Sequence, residues 1–170
     1  MSIIEAVIQD VKELNKLINA AYRGDGSKKG WTTEAEILGG IRIDEHALEG
    51  LLNRSDVRIL KYIENGEILG TVYLELKQEQ LYLGMFAVSP LSQGKGIGKA
   101  FLQTAENYAS IHNCNRITLT VISSRTELID WYKRHGYVAT GGSIAFKDIE
   151  GRFGEPKVPN INLIIMEKLL

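Results

Sequence analysis

The chain carries one cysteine, Cys114, in 170 residues. An intramolecular disulfide is therefore excluded, as is a metal centre built on several thiolates. Histidine is also scarce. His46, His112 and His135 have no pairwise metal-ligand spacing, and no Ser/His/Asp set is suggested, so no metal site is expected. No apolar run approaches the ~18 residues of a membrane span. The opening stretch, "MSIIEAVIQDVKELN", is charged too early for a signal peptide. There is no excess of charge either: 20 Lys and Arg stand against 21 Asp and Glu, a formal −1. No overall field draws nucleic acid or an anionic membrane surface, although a local anion site stays open. The expectation is a soluble, cytoplasmic protein with neither nucleic acid nor membrane as partner.

The residues that are present, 44% hydrophobic and 24% charged, suit an ordinary globular chain, and the length favours one domain spanning 1–170. Residues 2–8 read as a strand. Asp10 is placed to cap a helix with Leu14, Leu17, Ile18 and Ala21 on its apolar face. "RGDGSKKGW", 23–31, reads as a loop. Thr33 and Glu36 have capping-box spacing and predict a short helix ended by Gly39-Gly40. Asp44 heads another helix, with Ala47, Leu48, Leu51 and Leu52 apolar. From 56 the period changes. Two apolar runs meet at Asn65-Gly66, a strong hairpin signal because both residues tolerate positive φ. Residues 81–90 add a third strand. A helix follows from about 96 to 112, then a strand at 115–121, a helix ended by Gly136, a strand beginning "YVATG", a Gly/Pro-punctuated stretch over 141–160, and a last strand. The order predicts a mixed α/β (α+β) domain, with one mostly antiparallel central sheet and helices on both faces.

One stretch departs from ordinary helix entry. "SPLSQGKGIGKAF" sets glycines at 94, 96 and 98 between a strand end and a helix start. The first N–H groups of a helix lack intrahelical partners, and the macrodipole places partial positive charge there. Without β-carbons, an anion can approach that backbone closely and positive φ carries no penalty. Lys95 and Lys99 add charge. The pattern predicts a phosphate cradle, suited to a pyrophosphate. It is neither a P-loop nor a dinucleotide fingerprint. The first needs glycine at 93 and Ser or Thr at 100, where Gln and Ala stand; the second needs glycine at 99 or 101.

Gln93-Gly94-Lys95-Gly96-Ile97-Gly98 resembles the Q/R-x-x-G-x-G/A signature of the GNAT N-acetyltransferase family. "TELIDWYKRHGY", 126–137, resembles that family's second signature, and the element order agrees. The resemblance implies acetyl-CoA as co-substrate and acetyl transfer to a primary amine of a small molecule or protein, by direct attack on the thioester. On this carry-over the amides from Gly94 through Lys99, including those of Gly96, Ile97 and Gly98, hold the pyrophosphate, and Gln93 shapes the loop. The strand Phe86-Ala87-Val88 parts from the strand at 115–121 and offers main-chain groups to the pantetheine arm. Tyr132 serves the departing thiolate as hydrogen-bond donor or general acid, and an N–H near Val88 stabilises the oxyanion. The family often has Asn after the fifth strand; here Ser123, Ser124 and Arg125 stand in that region as the candidate cofactor contacts. A glutamate often found on the strand before the signature is missing, and Glu75 on the neighbouring strand is the substitute base. Residues 22–45 are expected to fold over the acceptor as a lid. The resemblance also implies a homodimer. A non-catalytic acyl-CoA sensor is the alternative reading, which needs the glycines but not Tyr132 or a base.

Overall fold

The structure is a computed structural model, and it describes residues 2–23, 28, 30–149 and 152–170. Part of the loop expected at 23–31 thus lies outside the described residues. Among the described residues nine strands and four α-helices follow one another: β1 (Ser2–Glu5), α1 (Val11–Tyr22), β2 (Leu38–Gly39), α2 (Glu45–Leu52), β3 (Val57–Glu64), β4 (Glu67–Lys77), β5 (Gln80–Val88), α3 (Ile97–Ile111), β6 (Arg116–Ile122), α4 (Thr126–Arg134), β7 (Val138–Ala145), β8 (Glu155–Pro156) and β9 (Asn162–Leu169). Seven strands form one sheet in the order β1-β3-β4-β5-β6-β9-β7, and β2 pairs with β8 apart from it. Every pairing is antiparallel except β5 with β6. The mixed, mostly antiparallel sheet expected from the sequence is the sheet observed.

Helices cover both faces. On one, Ile97, Phe101, Leu102 and Ala105 of α3 pack on Val72, Leu74, Leu81 and Leu83. On the other, Leu14, Leu17 and Ile18 of α1 and Leu48 of α2 pack on Ile59, Tyr73, Met85 and Ala87. A smaller cluster of Leu38, Ile122, Phe146 and Ile161 lies at the end of the sheet beyond β6.

Local signals act as expected in several places. Asn65 and Gly66 take φ of 52° and 78°, a primed turn between β3 and β4. The Asp44 carboxylate accepts from Ala47 N–H at 2.7 Å and caps α2. Gly136, at φ 93°, ends α4. Three expectations are corrected. Asp10 sits at the start of α1 but caps the preceding turn, accepting from Val7 N–H at 2.8 Å, and pairs with Lys61 at 2.6 Å. The helix expected over 31–40 is one turn only. Thr33 Oγ1 accepts from Ala35 N–H at 3.0 Å, but the chain then enters β2, because Leu38 is needed in the third cluster and pairs across to Pro156. The last stretch expected as loop is partly strand, since β7 runs on to Ala145.

The feature that positions the site is a bulge in β5. Thr71 pairs with Ala87 and Tyr73 with Gly84, so Met85 and Phe86 together face Val72 alone. Met85 takes φ 41°. The extra residue reverses the alternation: Leu81 and Leu83 face α3, whereas Met85 and Ala87 face α1. A bulge also bends its strand. Pairing with β6 has already ended at Tyr82, and the bend keeps the remainder of β5 apart from β6.

Candidate active site

β5 and β6 pair only at Gln80–Arg116, Leu81–Ile117 and Tyr82–Thr118. Past Tyr82 the strands part, and the gap between them opens to both faces of the sheet. Ser89 N–H donates to Leu69 C=O at 2.8 Å across the β4 ladder. Alternation then turns the N–H and C=O of Val88 the other way, into the gap. Such main-chain groups require a partner wherever water is excluded.

On one side the gap leads to a cleft of about 260 Å³ at the mouth of α3, lined by Phe86, Val88, the turn from Gln93 to Lys99, and Trp131 and Tyr132 of α4. Gly96 is the N-cap in left-handed conformation, φ 83°, and no side chain caps the helix. Among the described residues, no intramolecular acceptor meets the N–H groups from Gly94 through Lys99. Gly94 also has φ 83°, and a β-carbon on either residue would meet no protein atom within 4 Å, projecting instead into open space. An anion can therefore reach these amides. Gly98 acts differently. A β-carbon there would lie 3.2 Å from the Trp131 ring, so its absence lets α3 and α4 approach. Gln93 bridges the cleft wall. Its Nε2 donates to Val88 C=O at 3.1 Å, and its Oε1 accepts from Trp31 N–H.

Leu128, Trp131, Tyr132 and His135 all line this cleft. Their i, i+3, i+4, i+7 spacing is the signal, visible in the sequence, that one face of α4 serves the site. Trp131 stands edge-on to Phe86, with centroids 6.0 Å apart, and His135 stacks on Trp131 at 4.3 Å. Tyr132 is 6% exposed and packs against Tyr137 at 5.6 Å. Its hydroxyl has no hydrogen-bond partner among the described residues and is not sealed off from the cavities. Burial pushes its pKa well above the ordinary tyrosine range, so it stays neutral and donates.

On the other side of the gap lies a second cavity of about 120 Å³, which shares Tyr22, Phe86, Arg125, Leu128 and Tyr132 with the first. Its walls come from five separated parts of the chain: α1 and the segment after it, β5, β6, α4 with Arg125 just before it, and a last group of Phe146, Ile149, Arg152, Phe153 and Leu163. A buried triad holds them together. Glu34 accepts from Arg125 Nη1 at 3.0 Å and from Arg23 Nη2 at 3.4 Å, with side-chain exposures of 10%, 7% and 3% in the order Glu34, Arg125, Arg23. Arg23 Nη1 also donates to Ile41 C=O and Phe153 C=O. Arg125 Nη2 donates to Thr32 Oγ1 at 2.6 Å, and Thr32 to Glu127 at 2.9 Å. Burial lowers the pKa of Arg23, partly countered by Glu34. Tyr22, between the cavities, is pushed up to about 12 by burial.

The expected site residues therefore divide. Phe86, Ala87, Val88, Gln93, Gly94, Gly96, Ile97, Gly98, Lys99, Arg125 and Tyr132 line the first cleft together; Lys95 lies exposed in the same turn. Arg125 is present but its Nη groups hold Glu34 and Thr32. Glu75 is not brought in. It lines neither cavity and is held at the far end of β4 by Tyr73 O–H, Arg54 at 3.6 Å and Lys77 at 3.6 Å. The lid expected over 22–45 has its described residues 31–34 tied to Gln93, Arg125 and Glu127. Tyr22, Arg23, Glu34 and Arg42 all fall within the stretch expected as a lid, but the sequence does not single them out, because nothing in that stretch marks which distant elements each one meets. Among the described residues, no helix is long and apolar enough to cross a membrane, and no group of His, Cys, Asp and Glu could hold a metal ion.

The sequence profile of the acetyltransferase (GNAT) domain matches residues 20–151. An uncharacterized protein of Bacillus subtilis, YdhI, is 30% identical over 74 residues, which is 44% of this chain and 45% of that one; the alignment spans under half the length of that relative. Among solved structures, the ribosomal-protein-alanine N-acetyltransferase of Brucella melitensis superposes with a TM-score of 0.74 at 17% identity, covering 100% of both chains. The PaiA N-acetyltransferase of Thermoplasma acidophilum, solved in complex with coenzyme A, gives 0.70 at 19% identity, again over 100% of both. At these identities the structures are similar in fold.

Proposed function

Since the chain belongs to the GNAT acetyltransferase family, we propose that its residues 1–170 form one domain that moves the acetyl group of acetyl-CoA to an amine by direct attack. One observation carries this reading: the cleft at the open α3 amides continues through the β5–β6 gap into a second cavity, and Tyr132 stands at the junction. The residues fit the co-substrate. The N–H groups from Gly94 through Lys99 and the helix dipole suit a pyrophosphate, with Lys95 and Lys99 adding charge at the rim. Val88 N–H, turned into the gap, suits an amide of the pantetheine arm or the oxyanion. Acetyl-CoA supplies an activated carbonyl and a thiolate leaving group.

The amine enters from the second cavity. Its nitrogen forms a bond to the carbonyl carbon, the C–S bond breaks, and the electron pair leaves on sulfur. Tyr132 donates a hydrogen bond to that sulfur. Transferring its proton outright is uphill even from ordinary values, about 10 for tyrosine against about 8.5 for a thiol, and burial steepens the slope. The nitrogen's surplus proton leaves to water in the gap, because both oxygens of Glu34, the one carboxylate lining either cavity among the described residues, already face arginines.

The test is release of free thiol from acetyl-CoA with a panel of amines, alongside calorimetric binding of CoA. Release with at least one amine and CoA binding are the expected results. Tight CoA binding without release for any amine would return the protein to a sensing role.

A further inference from the structure

The second cavity says more about the acceptor than the gap does. Its lining holds Arg23, Arg42, Arg125 and Arg152 against the single carboxylate of Glu34, four positive charges to one negative among the described residues. Glu34 answers only part of this: it bonds both Arg23 and Arg125, and the further carboxylate at hand, Glu127, is half-exposed and reaches only Arg125 Nε, at 3.9 Å. Arg23 Nε and Arg125 Nε are both buried without a hydrogen-bond partner. Arg42 is half-buried, its guanidinium lies 5.4 Å from the centroid of the Tyr22 ring, and among the described residues no carboxylate stands within ion-pair distance of it. Tyr22 also borders the cofactor cleft. The guanidinium is thus held beside Tyr22, which borders both cavities, with its fork unpaired among the described residues.

Resting on the transferase reading, we infer that the acceptor is a small amine carrying a carboxylate on the same molecule, of the amino-acid class, with Arg42 receiving the carboxylate. A guanidinium binds a carboxylate through two parallel N–H bonds. Desolvated arginines beside it supply further attraction without rearrangement. The same charges repel an acceptor with several ammonium groups, so polyamines are poor substrates. The volume, about 120 Å³, suits a small molecule, and a protein N-terminus brings no carboxylate beside its amine.

The experiment compares amino acids with their own carboxamides, with spermidine, and with phosphoethanolamine against ethanolamine. Thiol release is measured first. Binding of each pair to protein saturated with CoA is measured independently by calorimetry. Each amino acid is expected to show a KM at least tenfold below that of its carboxamide, and the gap should narrow as salt is added. Arg42→Gln should bring that ratio near one, and Arg42→Lys should restore part of it; circular dichroism melting confirms that both variants fold. Equal KM and equal affinity for acid and carboxamide would overturn the inference, as would a preference for spermidine. Preference for phosphoethanolamine alone would overturn the carboxylate assignment. If no amine releases thiol, the transferase reading fails, while the calorimetric comparison still decides whether the cavity selects a carboxylate.

Discussion

The two sides of the β5–β6 gap are built in opposite ways. The cofactor side is main chain. On the side proposed for the cofactor, the open groups are consecutive amides from 94 to 99, among glycines whose missing side chains leave them accessible. The side proposed for the acceptor is side chain: Arg23, Glu34 and Arg125 arrive from separate segments and form a buried charged network, with Arg42 half-buried beside it. A site made of backbone is fixed by local conformation and tolerates change around it. A site made of distant charges is fixed by packing, and one deletion unbalances it.

Deleting Glu34 should have the largest effect on that contrast. Glu34→Ala leaves two guanidinium groups buried without their carboxylate, a change of the kind that costs about 3–5 kcal/mol. Chemical denaturation is expected to show a loss of that order, with the acceptor side disordered first in hydrogen exchange. A loss below about 1 kcal/mol would mean that water reaches the triad, and the contrast would weaken.

Next comes the backbone side. Gly96→Val forces a β-branched residue to φ 83° and puts its side chain in the mouth of the cradle. CoA affinity should fall at least a hundredfold, about 2.7 kcal/mol, while the fold is retained. Unchanged affinity would mean that the amides do not hold the pyrophosphate.

Tyr132→Phe stands at the junction of the two sides. It should lower kcat by roughly tenfold to a hundredfold, the range of one lost hydrogen bond to a charged group, and leave CoA affinity nearly unchanged. Because burial raises the Tyr132 pKa, the rate should not decline between about pH 8 and pH 10, as it would were a tyrosine of ordinary pKa losing its proton. A falling limb there that vanishes in the phenylalanine variant would assign Tyr132 as a general acid instead.

The smallest effect belongs outside both sides. Glu75→Gln should change kcat by less than about twofold, about 0.4 kcal/mol, because its carboxylate lines neither cavity. A drop above tenfold would bring Glu75 back as the base.

The resemblance to an acetyltransferase rests on two short stretches, and both are legible because each is local. Helix entry at Gly94–Gly98 needs only positive φ and missing β-carbons. The face of α4 needs only helical spacing, although it takes the fold to set Trp131 beside Phe86. The Asn65-Gly66 hairpin and the Asp44 cap are legible for the same reason. The true course of residues 31–40 is not, because the force that competes with a helix there is long range: Leu38 is buried against Ile122, Phe146 and Ile161, and Glu34 is held by Arg125, 91 positions away.

The sequence by itself determined the order of the four helices and of the seven strands of the main sheet, that sheet's two covered faces, and a turn of open amides at the mouth of α3, since all depend on periodicity and on backbone freedom a few residues long. Only the tertiary structure decided that β5 leaves β6 after Tyr82, because the bulge at Met85 and Phe86 follows from how two strands register. It alone also gathered the arginines across the gap, because burial of charge is settled by what the rest of the chain packs around it.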